Sequence, residues 1–237
     1  MSGPATAMVL AAGLGARMRP LTDHRPKALV EVGGRALIDH TLDRLVEVGV
    51  RRAVVNVHAF ADRIEAHLAG RRDLDILISD ERAALLETGG GVKKARPLLG
   101  EAPIWVANCD YVWTPKGPAA LRALARAWDP AAMDACLTVV PKPRTLGFDT
   151  PGDFFIGKDG ALAHRGARAS APLHCFGVEI LDPRRVYEWP ETAFSLFEVW
   201  MALAGRSRLR GFVPDGLWMQ IGDPAALAAA EPRLSAP

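Results

Sequence analysis

The sequence predicts an α/β protein of Rossmann-like, three-layer type, a mostly parallel sheet flanked by helices with β-hairpins added in the C-terminal third. Three observations predict it. Short apolar runs alternate with longer amphipathic stretches over roughly the first 140 residues, which is the rhythm of βαβ units. The first apolar run empties directly into a glycine-rich loop. After about residue 141 the rhythm changes to short strands joined by a tight turn.

Each element follows from its own pattern. Residues 7–12 (AMVLAA) are apolar without alternation, as in a strand buried on both faces, and Gly13 closes the run. Over 36–48, Leu37, Ile38, Leu42, Leu45 and Val46 recur at helical spacing and Gly49 ends the helix. The same criteria give a strand at 53–57, a helix at 61–68 and strands at 74–78 and 104–107 around a helix at 92–99. A helix at 118–128 and a strand at 135–140 complete the alternating part. Right-handed crossovers between such strands produce a parallel sheet covered on both faces. Residues 153–156 and 161–165 flank Lys158-Asp159-Gly160 and form a hairpin with an Asp-Gly turn. A strand at 175–180, a helix at 194–203 and a short strand at 217–221 follow. Asp223-Pro224 then opens an alanine-rich helix, with Asp as N-cap and Pro at the first helical position. No repeat or low-complexity linker divides the chain, so one domain over 1–237 is expected.

Composition narrows the function classes. A net charge of +2 with scattered basic residues argues against a nucleic-acid surface. No apolar stretch reaches the 18 or so residues of a membrane span. The apolar run at 8–16 has no basic segment before it and ends in a glycine-rich loop, so it does not resemble a signal peptide. Cys109, Cys136 and Cys175 are odd in number and widely spaced, which suits free thiols in a reducing compartment better than disulfides or a metal site. A cytoplasmic protein is expected, a monomer or small homo-oligomer.

In an open α/β sheet, ligands bind beyond the carboxyl ends of the strands. Three unusual loops fall there: 13–27, 87–91 and 108–114. In the first, glycines at 13 and 15 let the backbone approach an anion and turn successive N–H groups toward it. Arg17 and Lys27 bring cations to the same mouth, and a triphosphate needs both kinds of group. A dinucleotide fingerprint fails, because the third glycine is Met18 and Pro20 and Pro26 break the helix it requires. A Walker A loop fails because the chain has no Gly-Lys-Ser/Thr.

Gly13-x-Gly15-x-Arg17-Met18-x-Pro20-Leu21-Thr22 followed by Pro26-Lys27 resembles the N-terminal pattern of sugar-1-phosphate nucleotidyltransferases, and the resemblance in length and βα rhythm covers essentially the whole chain. Leu86-Glu87-Thr88-Gly89-Gly90-Gly91 and the compact length are similar to the uridylyltransferases that use N-acetylmuramate 1-phosphate in bacterial cell-wall recycling. The resemblance implies a nucleotide-binding part over about 1–140 and a sugar-binding part over about 141–237. It implies a nucleoside triphosphate, UTP above others, and a sugar 1-phosphate as substrates, with Mg²⁺ as cofactor. Other NDP-sugar pyrophosphorylases, acting on mannose, glucose or heptose 1-phosphate, are the alternative.

The site residues implied are Arg17, Lys27 and Asp110 as catalytic, with Asp110 also the metal ligand. The backbone of Ala11, Ala12, Gly13 and Gly15, together with Thr88, Gly89 and Asn108, would hold the nucleotide, the glycine triplet preceding a helix that begins near Val92. Thr88 serves equally as a helix cap. Glu81 either faces the base or is a solvated loop acid. Asp153 and Glu179 either meet sugar hydroxyls or are strand-edge acids facing solvent, and Trp113 could line the sugar side. Two positions depart from the family pattern. Gln220 stands in Trp218-Met219-Gln220-Ile221-Gly222 where a second metal aspartate is usual, which keeps a catalytically weak nucleotide-binding homologue open. Ser195 stands where some relatives have a lysine.

Overall fold

The computed structural model describes residues 3–115 and 117–234; the one-domain expectation over 1–237 includes residues 1, 2, 116 and 235–237, which lie outside them. The elements are, in order, β1 (Thr6–Leu10), β2 (Glu31–Val32), β3 (Arg35–Ala36), α1 (Leu37–Glu47), β4 (Arg52–Val57), α2 (Ala61–Leu68) and β5 (Asp75–Asp80). Then come α3 (Glu87–Lys94), α4 (Arg96–Leu99), β6 (Ile104–Asn108), β7 (Tyr111–Thr114), α5 (Ala119–Ala127) and β8 (Ala135–Pro141). The C-terminal third holds β9 (Thr145–Leu146), β10 (Phe154–Ile156), β11 (Leu162–His164), β12 (Leu173–Leu181), α6 (Arg184–Tyr187), α7 (Leu196–Gly205), β13 (Leu209–Phe212), β14 (Leu217–Gln220) and α8 (Pro224–Leu234).

The main sheet runs β11-β10-β12-β6-β1-β4-β5, with β8 beside β12 and β13 beside β8. Strands β6, β1, β4 and β5 are mutually parallel, whereas β12 is antiparallel to β6, β8 and β10. Alternation along each central strand separates two apolar layers. Ala7 and Val9, Ala53, Val55 and Val57, and Trp105 and Ala107 face α1, α2 and α5. Met8, Val54, Ile104 and Val106 face α3, α4, α6 and α7. The sheet is therefore a middle layer between two helical ones, as expected. From β1 the chain winds one way to β4 and β5, while β6 joins on the other side. That reversal opens a crevice at the carboxyl ends of β1 and β6.

Two expected elements differ. Helix α3 begins at Glu87 rather than near Val92, so the glycine triplet lies inside the helix and is buried. Helix propensity disfavours three glycines, but the Gly89 and Gly90 N–H groups both donate to the Phe194 carbonyl, at 2.9 and 3.1 Å, so tertiary contact overrides propensity. Residues 111–114, expected as loop, form β7 and pair antiparallel with β14, which also runs parallel to β9. Tyr-Val-Trp-Thr is good strand material, and its partner arrives only late in the chain. The hairpin β10–β11 forms as expected, and Asp223 caps α8 by accepting from Ala226 N–H at 2.8 Å.

Candidate active site

A cavity of about 270 Å³ occupies the crevice, bounded by residues 10–13 and 15–17, Lys27, Asn56, Leu85, Glu87, Thr88, residues 108–110 and Gly222. Its first wall is the loop after β1. Gly15 sits at φ 64°, and a Cβ there would come within 2.9 Å of Lys27 Cβ and 3.1 Å of Thr22 Cγ2, so only glycine fits. The Thr22 hydroxyl donates to the Gly15 carbonyl at 2.8 Å, closing the loop on itself. Two short 3₁₀ turns, Ala16–Met18 and Lys27–Leu29, fix Arg17 and Lys27 on it. Among the described residues, the N–H groups of Gly13 to Arg17 donate to no protein acceptor. Such a row of unspent donors beside cations suits an anion. Arg17 has no ion-pair partner among the described residues. Its guanidinium packs over Gly222, where a Cβ would come within 3.3 Å of Nη2.

Lys27 Nζ donates to Asp110 Oδ2 across the cavity floor, and both side chains are largely buried. The Asp110 carbonyl accepts from Ile221 N–H at 2.8 Å, which ties β14 to the same point. Among the described residues, no group of three or more His, Cys, Asp or Glu side chains could hold a metal by itself. The donor set at Asp110 is one carboxylate, which fits Mg²⁺ only when phosphate oxygens and water complete the shell. Cys109 also borders the cavity, but burial, with the Asp110 charge beside it, pushes its thiol up to about 12. It is not a thiolate nucleophile.

The residues expected to hold the nucleotide divide into two groups. Ala11, Ala12, Gly13, Gly15, Thr88 and Asn108 border the cavity. Gly89 and Glu81 stand behind it. Gly89 is spent on packing: a Cβ there would fall 2.3 Å from the Phe194 ring and 2.9 Å from the Phe194 carbonyl. Gly89→Ala is therefore expected to overpack this contact and cost about 2–3 kcal/mol, a fall in Tm on the order of 5–10 °C by thermal unfolding. Glu81 is fully buried, not solvated. Its Oε1 accepts from Asn56 Nδ2 at 2.8 Å, and Asn56 Oδ1 accepts from Ala11 N–H at 2.7 Å. Burial raises the Glu81 carboxyl above its ordinary range, against the opposing Asn56 hydrogen bond. Glu81 thus orients Asn56, a cavity residue that sequence reasoning missed; its signal was one amide inside the apolar strand VVNV. Thr88 caps another helix, its hydroxyl accepting from Leu196 N–H at 2.9 Å.

The sugar-side expectations fare unevenly. Asp153 lies immediately before β10, where its Oδ2 accepts from Cys175 N–H of β12 at 2.8 Å. Glu179 is buried, not a solvent-facing edge acid, and borders a second, smaller chamber adjoining the first. Trp113 is a core residue stacked on Trp218, with ring centroids 4.7 Å apart. Gln220 pairs in register with Tyr111 and does not border the cavity. Ser195 is the N-cap of α7 in a capping box with Glu198.

The MobA-like NTP transferase domain family model matches residues 7–212. An N-acetylmuramate alpha-1-phosphate uridylyltransferase of Caulobacter vibrioides is 53% identical, the match covering 98% of each chain. One of Neisseria meningitidis serogroup B is 35% identical over 95% of this chain and 96% of the relative. Among solved structures, the inositol-1-phosphate CTP transferase from T. maritima superposes with a TM-score of 0.80 at 18% identity, covering 98% of this chain and 96% of that one. The last likeness bears on the fold alone.

Proposed function

This chain belongs to the MobA-like NTP transferases and is a sugar-1-phosphate nucleotidyltransferase, and from that membership we propose that it couples N-acetylmuramate 1-phosphate to UTP, releasing pyrophosphate, in cytoplasmic cell-wall recycling. The observation that carries the chemistry is convergence: the free amides of Gly13–Arg17, the Arg17 and Lys27 cations and the Asp110 carboxylate meet at one cavity. The narrower substrate assignment rests on the 53% identity to a uridylyltransferase of that name.

The acceptor is already an anion, so an oxygen of the sugar 1-phosphate attacks the α-phosphorus in line and pyrophosphate leaves. No base is needed. Catalysis reduces to alignment and charge neutralisation. In this reading the amides after Ala12 cradle the triphosphate, and the backbone of Ala11, held by Asn56, sets the nucleoside end with Thr88 and Asn108. Arg17 offsets charge on the β- and γ-phosphates. Lys27 leaves Asp110 for the transferring or attacking phosphate. Mg²⁺, held by Asp110 with phosphate oxygens, would supply charge neutralisation across donor and acceptor. Residues from about 141 onward, Asp153 and Glu179 among them, form the sugar side of one nucleotidyltransferase domain.

Because the protein supplies one carboxylate already paired to Lys27, Mg²⁺ alone is expected to give no calorimetric binding in the low millimolar range. With UTP present, binding is expected to be measurable. Tight Mg²⁺ binding without nucleotide contradicts a shared shell. The function itself is tested by crossing several triphosphates with muramate, glucosamine, mannose and glucose 1-phosphates and measuring pyrophosphate. Preference for UTP with the N-acetylmuramate compound is expected; preference for guanosine triphosphate with mannose 1-phosphate overturns the substrate assignment and leaves the family intact.

A further inference from the structure

A chamber of about 50 Å³ adjoins the main cavity, sharing Leu10, Thr88 and Asn108 with it as a common mouth. It lies between the sheet and α7. Leu196 and Trp200, four residues apart on one face of α7, close it on one side, and Val106, Leu137 and Glu179 close it on the other. Beside it the sheet slips: the three steps from Phe176 to Glu179 on β12 answer a single step between Thr138 and Leu137 on β8. A bulge of this kind loosens the ladder and re-aims side chains. Gly177, within the bulge, packs so tightly on Asn108 that a Cβ would come within 2.5 Å of its amide nitrogen.

Glu179 is 3% exposed, and neither of its carboxyl oxygens has a hydrogen-bond partner among the described residues. The Trp200 indole N–H faces it and partly offsets the effect of its burial, yet neither group makes a hydrogen bond of ordinary geometry among the described residues. Buried polar groups are nearly always paired, so two orphans in one chamber point to a partner that arrives with a ligand. Burial holds the Glu179 carboxyl well above its ordinary range, which leaves it a donor as well as an acceptor.

Resting on the transferase reading, we propose that this chamber takes a short, uncharged acyl group carried by the acceptor sugar. Its carbonyl oxygen accepts from Glu179 and Trp200, and its methyl packs against Val106, Leu137 and Leu196. Size and charge select that class. The volume is several times the ~10–15 Å³ that one water needs, yet far below the main cavity, so it admits a few heavy atoms and not a sugar ring. Among the described residues no Lys, Arg or His borders it, so a carboxylate there would be a buried unpaired charge.

The test compares wild type, Glu179→Leu and Glu179→Gln with UTP and either N-acetylglucosamine 1-phosphate or glucose 1-phosphate, acceptors that differ by the acetamido group. The kcat/KM preference for the acetylated acceptor is expected to fall about 30-fold or more in Glu179→Leu. Glu179→Gln, which keeps a donor, retains it within about fivefold. In parallel, saturation-transfer NMR of N-acetylglucosamine 1-phosphate is expected to mark the acetyl methyl most strongly in wild type and to lose that mark in Glu179→Leu. An equal fall on both acceptors, or an unchanged methyl signal, overturns the chamber. Absence of pyrophosphate even with N-acetylmuramate 1-phosphate overturns the transferase reading instead, and the NMR arm then still decides the chamber.

Discussion

Asp110→Asn is expected to lower kcat/KM on the order of 10³-fold while the protein stays folded. The substitution removes one oxygen and one charge from the carboxylate that pairs with Lys27 on the cavity floor. Removing a single preorganised electrostatic group from an active site costs 10²–10³-fold, and here the same group would also hold a divalent cation, which would neutralise phosphate charge. Folding survives because asparagine keeps the shape and an acceptor for Lys27, and because the Asp110 bond to Ile221 uses the backbone carbonyl. Thermal unfolding within a few degrees of wild type, alongside steady-state kinetics, separates the two effects. Activity within tenfold of wild type would remove Asp110 from the mechanism.

Lys27→Ala is expected to cost 10²-fold or more, chiefly in kcat, and Arg17→Ala a comparable factor carried more by the KM for the triphosphate. The contrast comes from their surroundings. Lys27 is largely buried and paired across the cavity floor, so its ammonium sits where charge is rearranged in the transition state. Arg17 is exposed, has no ion-pair partner among the described residues, and packs against Gly222, as suits a clamp on the outer phosphates that are present throughout. Both variants within tenfold of wild type in kcat/KM would contradict these roles.

The residues that were legible in the sequence are those whose function is local. Gly15 needs a left-handed φ and lies against Thr22 and Lys27, so Gly-x-Gly, Pro-Leu-Thr and Pro-Lys are parts of one self-closing loop and carry its geometry in their spacing. The central strands were legible because burial on both faces leaves an unbroken apolar run. Where the reading failed, the cause lay far along the chain. Gly89 resembled a phosphate amide because a glycine triplet suggests exposed N–H groups; the Phe194 carbonyl takes that N–H instead. Glu81 looked like a residue facing the base, and its geometry makes sense only through Asn56 to Ala11. The strand at 111–114 could not be anticipated without β14. Glu179 was legible as an acid on a strand, but not as a buried one, because the bulge and Trp200 that enclose it leave no local pattern.

Catalysis requires one polyphosphate to meet both the loop after β1 and the carboxylate after β6. A crystal structure of the chain with Mg²⁺ and a non-hydrolysable UTP analogue tests this most directly. Triphosphate oxygens are expected within hydrogen-bond distance of the N–H groups between Gly13 and Arg17, and the cation on Asp110 with Lys27 turned away from it. A nucleotide bound with its phosphates outside that loop, or a cation held without Asp110, would contradict it.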